Sequence, residues 1–576
     1  MATIQGRKSR GHTYWYIVES RRVNGKPRPI TLAYLGKASD LLQRLQGQKG
    51  FSIRTFSHGD SRALLEVAKE LQIVDCINSS VMGADSGSPP IRNGLTVGAS
   101  LLLAAVGRAC HPTSKRGWYQ WAKETDLDYL LKIKSKKLTS QHFWDQMDVL
   151  PVEEISKIEE RIVRNLVTTY GIELDLLLLD YTNFFTFINS GNDRCQIAQR
   201  GKNKQRRLDL RQVGLALVVS RKEQLPLFHY TYQGDRPDVS IFKKVLQDIK
   251  NRIAALTQVE RITLVFDKGN NSKANLSELS RTDIYYVGSL TPAYHKKLLA
   301  EANERFSIIE VGDRKVSVYR TTADIWGEVR TVVVYISEHL LKGQIRGIHQ
   351  LSKQKFKLLE KLKSRLEKNS GRTKKGLSRK QIQAQIEKII QGQYLKDVIT
   401  WSLEKKSGKW LLTYGIDQEK LKALSENFLG RRILMTNRHN WTAKEILLAY
   451  WSQTKVEYAF KNFKNPFHAA FRPQFHWTDQ KLQVHSFICV LAYLMTMVVF
   501  LKAKRHAAYR GSVHALMEKL KSIRLATILE NKDGKRGRIK VDYRLEEIPT
   551  ELQPLAEALK INSQNIRPQM NVGVYS

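Results

Sequence analysis

Cysteine is scarce in this chain and scattered where it occurs. Cys76, Cys110, Cys195 and Cys489 are the only four in 576 residues, and no two form a CxxC pair. A zinc site and a disulfide framework are therefore not expected, and a reducing compartment fits. Acidic residues are the second shortage: 55 Asp and Glu stand against 95 Lys and Arg, a formal charge of +40. That imbalance implies a polyanionic partner, with nucleic acid the first candidate and an acidic membrane surface the second. The opening Met1-Ala-Thr-Ile-Gln-Gly-Arg-Lys8 carries no apolar stretch, so no secretory leader is expected. Long apolar runs are missing too, with one exception between residues 487 and 501. Crossing a bilayer takes roughly 20 residues, and His485 and Thr496 interrupt a longer reading. A buried core helix is expected there, and no membrane association. There is no internal repeat and no long low-complexity tract.

What is present reads as a folded, multi-domain protein. Hydrophobic residues make up 42% and aromatics 9%, too much for a basic disordered tail. The length suits several domains, on the order of four. Residues 1–60 read as a β-hairpin region, because Tyr14-Trp-Tyr-Ile-Val18 and Ile30-Thr-Leu-Ala-Tyr34 flank the turn signal Asn24-Gly25. Residues 61–170 read as helical, with a loop at Ser86-Gly-Ser-Pro-Pro90. From 171 to 290 strands come first and then alternate with helices, which predicts an α/β layer built on one sheet. Strands are expected over 173–187, 213–220, 225–232, 261–267 and 284–287, and helices over 238–254 and 273–281.

Residues 291–435 interrupt that layer with further strands and a basic helical stretch. Between Lys342 and Lys380 there are 14 Lys or Arg against Glu360 and Glu367. Ile348, Leu351, Leu358, Leu359, Leu362 and Leu366 recur at helical spacing, predicting an amphipathic helix with a cationic outer face. A solvated charged face is the plain alternative to a nucleic-acid contact. A mobile loop is expected at Gly371 to Gly376. Residues 436–505 carry a polar-aromatic helix and then a hydrophobic one over 478–504. The C-terminal 506–576 begins with a helix over 512–530 and a hairpin at Lys532-Asp-Gly-Lys535.

Three carboxylates carry the chemistry. Leu176-Leu-Leu-Leu-Asp180 and Ile262-Thr-Leu-Val-Phe-Asp267 are apolar strands that each end in aspartate. Taken singly, a strand-end aspartate is more often a turn residue. The third acid lies in Tyr450-Trp-Ser-Gln-Thr-Lys-Val-Glu457-Tyr-Ala-Phe-Lys-Asn-Phe-Lys464, read as one helix. Ala449, Val456, Phe460, Phe463 and Phe467 form its apolar stripe, and Glu457 falls on the flank of that stripe. There it is either a metal ligand or a surface glutamate lying along the protein. Mg²⁺ takes oxygen ligands, and two such ions about 4 Å apart suit in-line displacement at phosphorus.

Tyr450, Gln453, Glu457 and Lys464 resemble the Tyr-x2-Arg-x3-Glu-x6-Lys signature of bacterial insertion-sequence DDE transposases, with its spacing matched at all four positions. Asp180 in Asp-Tyr-Thr-Asn and Asp267 in Phe-Asp-Lys-Gly-Asn-Asn-Ser are similar to the two aspartate boxes of that family. So are Lys204-Gln-Arg-Arg-Leu-Asp-Leu-Arg-Gln212, Gly234-Asp-Arg-Pro-Asp238 and Arg472-Pro-Gln-Phe-His-Trp-Thr478. The resemblance covers about 170 to 500.

It implies an RNase H-like catalytic core split into 171–290 and 436–505 around a β-rich insertion. It also implies a DNA-end-binding role for 61–170 and leaves dimerisation as a role for 506–576. The implied activity is cut-and-paste transposition: cleavage at the element ends, then strand transfer of 3′-hydroxyls into target DNA. Asp180, Asp267 and Glu457 would hold two Mg²⁺, with Mn²⁺ able to substitute. Tyr450, Gln453 and Lys464 would contact DNA, although glutamine in the arginine position lacks the charge and the bidentate phosphate fork. Lys204 and Arg207, in the basic turn after the first strand, are further DNA candidates. The implied partners are double-stranded DNA, as terminal inverted repeats and target, and further copies in a dimer or larger synaptic complex. The implied location is the bacterial cytoplasm, on the nucleoid. A metal-dependent nuclease of the same fold and a non-catalytic DNA-binding protein are the alternatives.

Asn270, Asn271 and Ser272 could orient phosphate, or could simply cap a helix. Trp326, Trp401 and Trp410 are read as packing residues before stacking ones. His476 and Trp477 are read as braces for the glutamate helix.

Overall fold

A computed structural model describes residues 2–9, 11–23, 26–39, 51–82, 89–203, 205–256, 262–368, 377–406, 409–530 and 541–562. Asn24-Gly25, Lys204, Gly371 to Gly376, Lys532 to Lys535 and most of the loop at Ser86 lie outside them. The chain divides into two compact units, one of residues 1–149 with 495–576 and the other of residues 150–494.

In the first unit, Ala2–Ser9, His12–Val23 and Lys26–Lys37 form an antiparallel three-stranded sheet, one strand more than the expected hairpin. The helix Val97–Cys110 is buried along its whole length, as its apolar composition requires. The C-terminal helix expected over 512–530 ends early, at Val513–Lys521, and Arg524–Glu530 is a strand. That strand pairs on one side with Phe51–Ser57 and on the other with Val541–Leu545. Tertiary pairing overrides local helix propensity here, because a distant partner satisfies the backbone. The four cysteines are buried, and none is in a disulfide.

The second unit is built on a nine-stranded mixed sheet. Its strands in chain order are β1 (Leu176–Phe185), β2 (Gln212–Ser220), β3 (Pro226–Gln233), β4 (Thr263–Val265), β5 (Tyr285–Leu290), β6 (Ser307–Val311), β7 (Arg314–Ile325), β8 (Glu328–Ile336) and β9 (Arg431–Thr436). The spatial order is β6-β7-β8-β9-β5-β4-β1-β2-β3. β1, β2 and β3 form an antiparallel meander, while β4 runs parallel to both β1 and β5. Leu176 to Leu179 and all of β2 are buried, so the centre of the sheet is covered on both faces.

Strands β6 to β8, expected as an interruption, extend this same sheet through β9. What stands beside the sheet is a smaller cluster made by the long helix Glu338–Lys368, the helix Arg379–Ile389 and the hairpin Ile399–Lys406 with Lys409–Ile416. Ile348, Leu359, Leu362 and Leu366 are buried in it as the periodicity requires. Leu351 and Leu358 are not; they stay 36% and 45% exposed on a helix wider than its cover. Trp401 and Trp410 pack against the cluster, and Trp326 sits exposed at the β7–β8 turn.

Among the helices that flank the sheet are α1 (Glu154–Tyr170), α2 (Asp238–Leu256), α3 (Lys273–Ser280), α4 (Ala443–Trp451) and α5 (Thr454–Lys464). Helix α1, placed by its sequence with the N-terminal helices, belongs to this unit. Its buried Glu159 accepts from Arg252 of α2 at 2.7 Å and pairs with His229 of β3. The hydrophobic helix spans Asp479–Ala507, with its apolar stretch buried. It is long and apolar enough to cross a membrane, yet buried His485 lies within it and Lys481 near its start.

Candidate active site

Parallel pairing sets two of the acids side by side. Val265 of β4 is level with Leu178 of β1, and β4 ends there. Two residues further along each chain come Asp267 and Asp180, near enough for the charge of Asp267 to act on the Asp180 carboxyl. β1 continues past Asp180 to Phe185, inside the span of 173–187 expected for it. Asp180 marks the place where full burial gives way to partial burial. Asp267 stands at the start of the short turn Lys268–Asn270, yet its carboxylate makes no capping bond. It accepts instead from the Ser289 hydroxyl at 2.8 Å and the Tyr450 hydroxyl at 3.2 Å.

Glu457 arrives from a helix that is bent at its base. The expected single helix is two, α4 and α5, separated at Ser452 and Gln453. The Ser452 and Thr454 hydroxyls turn back onto the carbonyls of Ala449 and Trp451, which tightens the chain locally. A complete capping box of Thr442 and Glu445 starts α4. Val456, Phe460 and Phe463 are buried as the stripe predicts, while Phe467 lies beyond the helix end and is 61% exposed.

Two side chains of the same motif fasten α5 to β1. Gln453 Nε2 donates to the Leu179 carbonyl at 2.8 Å, and Lys464 Nζ donates to Thr182 Oγ1 at 2.7 Å. Glu457 lies between these anchors, as Asp180 lies between Leu179 and Thr182. Phe184, of the same parity as Asp180, packs edge-on to Phe463 and stacked on Phe471, which fixes the face that α5 covers.

The electrostatics agree with this placement. Burial pushes the Asp180 carboxyl up to about 7, against a lowering backbone hydrogen bond from Tyr181. The charges of Asp267, Glu457 and Asp238 push it further in the same direction. The Tyr450 phenol is pushed up to about 12 by burial and by the charge of Asp267.

The charges of Asp267 and Glu457 thus reach Asp180, but the carboxylate oxygens of the three do not all lie within 4.8 Å of one another. Tyr450 and Gln453, placed at DNA by their sequence motif, are turned into the protein: both are buried, with their polar atoms on Asp267 and Leu179. Arg207 is exposed and forms a fork with Asp209 at 2.7 and 2.6 Å. Arg211 is spent on the carbonyls of Asn192 and Ser190. Ser272 caps α3, and Asn271 donates to the Ser289 carbonyl. His476 is buried against His485, and Trp477 packs with Arg194. Sequence reasoning missed Ser289, Arg432, which donates to the Tyr450 hydroxyl at 3.3 Å, and the role of Asp238. Asp238 fell at an expected helix start, and Ser289 and Arg432 fell in no expected element.

Residues 2–55 match the family model for the IS1634 family transposase, N-terminal domain. That match supports a transposase. No curated protein matches the chain. Among solved structures, a cryo-EM piggyBac transposase synaptic complex with hairpin DNA is similar over 80% of this chain and 79% of that chain, at 9% identity and a TM-score of 0.39.

Proposed function

We propose that this chain is a DDE-type DNA transposase that cleaves the ends of an insertion sequence and joins them to target DNA. The observation that supports the reading is that the charges of Asp267 and Glu457 act on the buried Asp180, in a chain whose residues 2–55 match a transposase model. The β3-β2-β1-β4-β5 half of the sheet, with an antiparallel meander and a parallel β4, supports an RNase H-like core.

The donor set fits hard divalent cations: three carboxylates, with no soft sulfur ligand among them. Asp180, Asp267 and Glu457 would hold Mg²⁺ or Mn²⁺. Two such ions supply activation of the attacking oxygen and stabilisation of the leaving one. The chain's own residues do the positioning. Ser289 and Tyr450 orient Asp267, and Gln453 and Lys464 hold the glutamate helix against β1. Acids near phosphate repel DNA unless cations neutralise them, so a purely architectural DNA-binding role would not favour this cluster. The excess of 40 positive charges supplies the attraction to phosphates elsewhere on the chain.

The test is incubation with duplex DNA carrying the element's terminal inverted repeats, with Mg²⁺ or Mn²⁺, beside a target plasmid. The reading expects nicks at the element ends and joining to the plasmid. Cutting without joining would reduce it to a nuclease, and binding without cutting under either metal would refute it.

A further inference from the structure

A fourth acid reaches this edge of the sheet from the opposite layer. Asp180, Thr182 and Phe184 share the face that α5 covers, while Tyr181 has the other parity and packs edge-on to Tyr232 of β3 at 6.1 Å. The Tyr232 hydroxyl donates to Asp238 Oδ1 at 3.0 Å. Asp238 opens α2, and its other oxygen lies against Gly269, in the turn directly after Asp267: a Cβ built on Gly269 would come to 3.8 Å of Asp238 Oδ2. The junction is rigid. The amide nitrogen of the buried Asn275 donates to the carbonyls of both Val239 and Asn270, at 2.9 Å each, tying the start of α2 to that turn. β4 stops at Val265, two residues before Asp267.

Two further polar groups here have no hydrogen-bond partner among the described residues. The buried Tyr181 hydroxyl makes no hydrogen bond, and the side-chain oxygen of Asn270, a residue 2% exposed in the same turn, also makes none. A buried carbonyl oxygen left over beside carboxylates is an arrangement that a cation or its hydration water satisfies.

We infer that Asp238 is a fourth acidic member of the cation pocket, held by Tyr232 and the Asn275 clamp, and that it raises the pocket's affinity for divalent metal. The inference rests on the proposed role of Asp180, Asp267 and Glu457. Asp238 is assigned as a positioning and charge-supplying residue, one layer away from the acids on the α5 side.

The experiment is Mn²⁺ binding to the full chain without DNA, followed by electron paramagnetic resonance, for wild type, Asp238→Asn, Asp238→Glu and Asp267→Asn, with a melting curve for each. Asp238→Asn keeps the size of the side chain and removes its charge. It is expected to weaken Mn²⁺ binding about tenfold, the lower end of the effect seen for residues that support metal ligands. Asp238→Glu is expected to recover most of the loss. Wild-type affinity in a folded Asp238→Asn, with Asp267→Asn impaired, overturns the inference alone. Mn²⁺ binding that is absent in wild type, or unchanged in Asp267→Asn, overturns the underlying reading of the site. Should Asp238→Asn fail to fold, Asp238→Glu decides: it must bind Mn²⁺ within a few-fold of wild type, and weak binding in a folded protein counts against a role carried by the charge.

Discussion

Gln453 Nε2 donates 2.8 Å to the main-chain carbonyl of Leu179, the residue before Asp180. A side chain from the glutamate helix thereby fixes the height of that helix on the aspartate strand. Gln453 is only 6% exposed, so the bond is made away from water.

Replacing Gln453 with alanine leaves the Leu179 carbonyl buried without this donor. A loss of about 1–3 kcal/mol is expected, since a stranded buried acceptor costs its desolvation. Urea unfolding measures it, and cleavage should fall with it. Gln453→Arg, which would install the arginine of the signature this motif resembles, must bury a guanidinium where an amide now sits. It is expected to lower stability and activity together; a gain in cleavage would show that this position faces DNA.

Asp180 should make the metal-free protein pH-sensitive. Its folded pKa, about 7, lies above the ordinary 3.8. The folded state therefore favours the protonated form, and the penalty is absent below pH 4, grows between 4 and 7, and is complete above 7. In EDTA, Asp180→Asn should melt higher than wild type at pH 8, and the difference should vanish as the pH falls towards 4. Melting curves at three pH values decide it, and a difference that grows on acidification would contradict the assignment.

The core under the site should be costly to open. Phe463 is fully buried between Phe184 and Tyr493. Phe463→Ala is expected to destabilise by about 3–5 kcal/mol. Phe467, exposed beyond the helix end, should tolerate alanine with little change in denaturation midpoint.

Tyr450→Phe removes one of the two hydroxyls on Asp267 and leaves Ser289. The expected effect is about 1 kcal/mol on cleavage, a several-fold slowing with the melting temperature little changed. An unaltered rate would mean that Ser289 alone orients the aspartate.

Much of this was legible in the residues. Periodicity marked β1 to β3, α2 and the apolar face of α5, because those elements bury one face or two and their composition shows it. Motif resemblance singled out the three carboxylates, and two of them act through their charge on Asp180. What escaped was long-range: the pairing of Arg524–Glu530 with Phe51–Ser57 depends on a partner far away in the chain. The joining of β6, β7 and β8 to the central sheet through β9 is likewise a property of topology. DNA contacts at Tyr450 and Gln453 are what the resemblance implies, and helical spacing gives only an angle around the axis. It does not show what the neighbouring strand places opposite. Asp238 was hidden for a related reason, since an acid in the first turn of a helix is favoured there on its own account.

The most direct test of the central claim is the position of manganese in crystals grown with MnCl₂, located by anomalous scattering. The account predicts a pair of peaks shared among the carboxylates of Asp180, Asp267 and Glu457. Manganese bound elsewhere, or Glu457 turned away from a metal held by the two aspartates in a DNA-bound crystal, would contradict it.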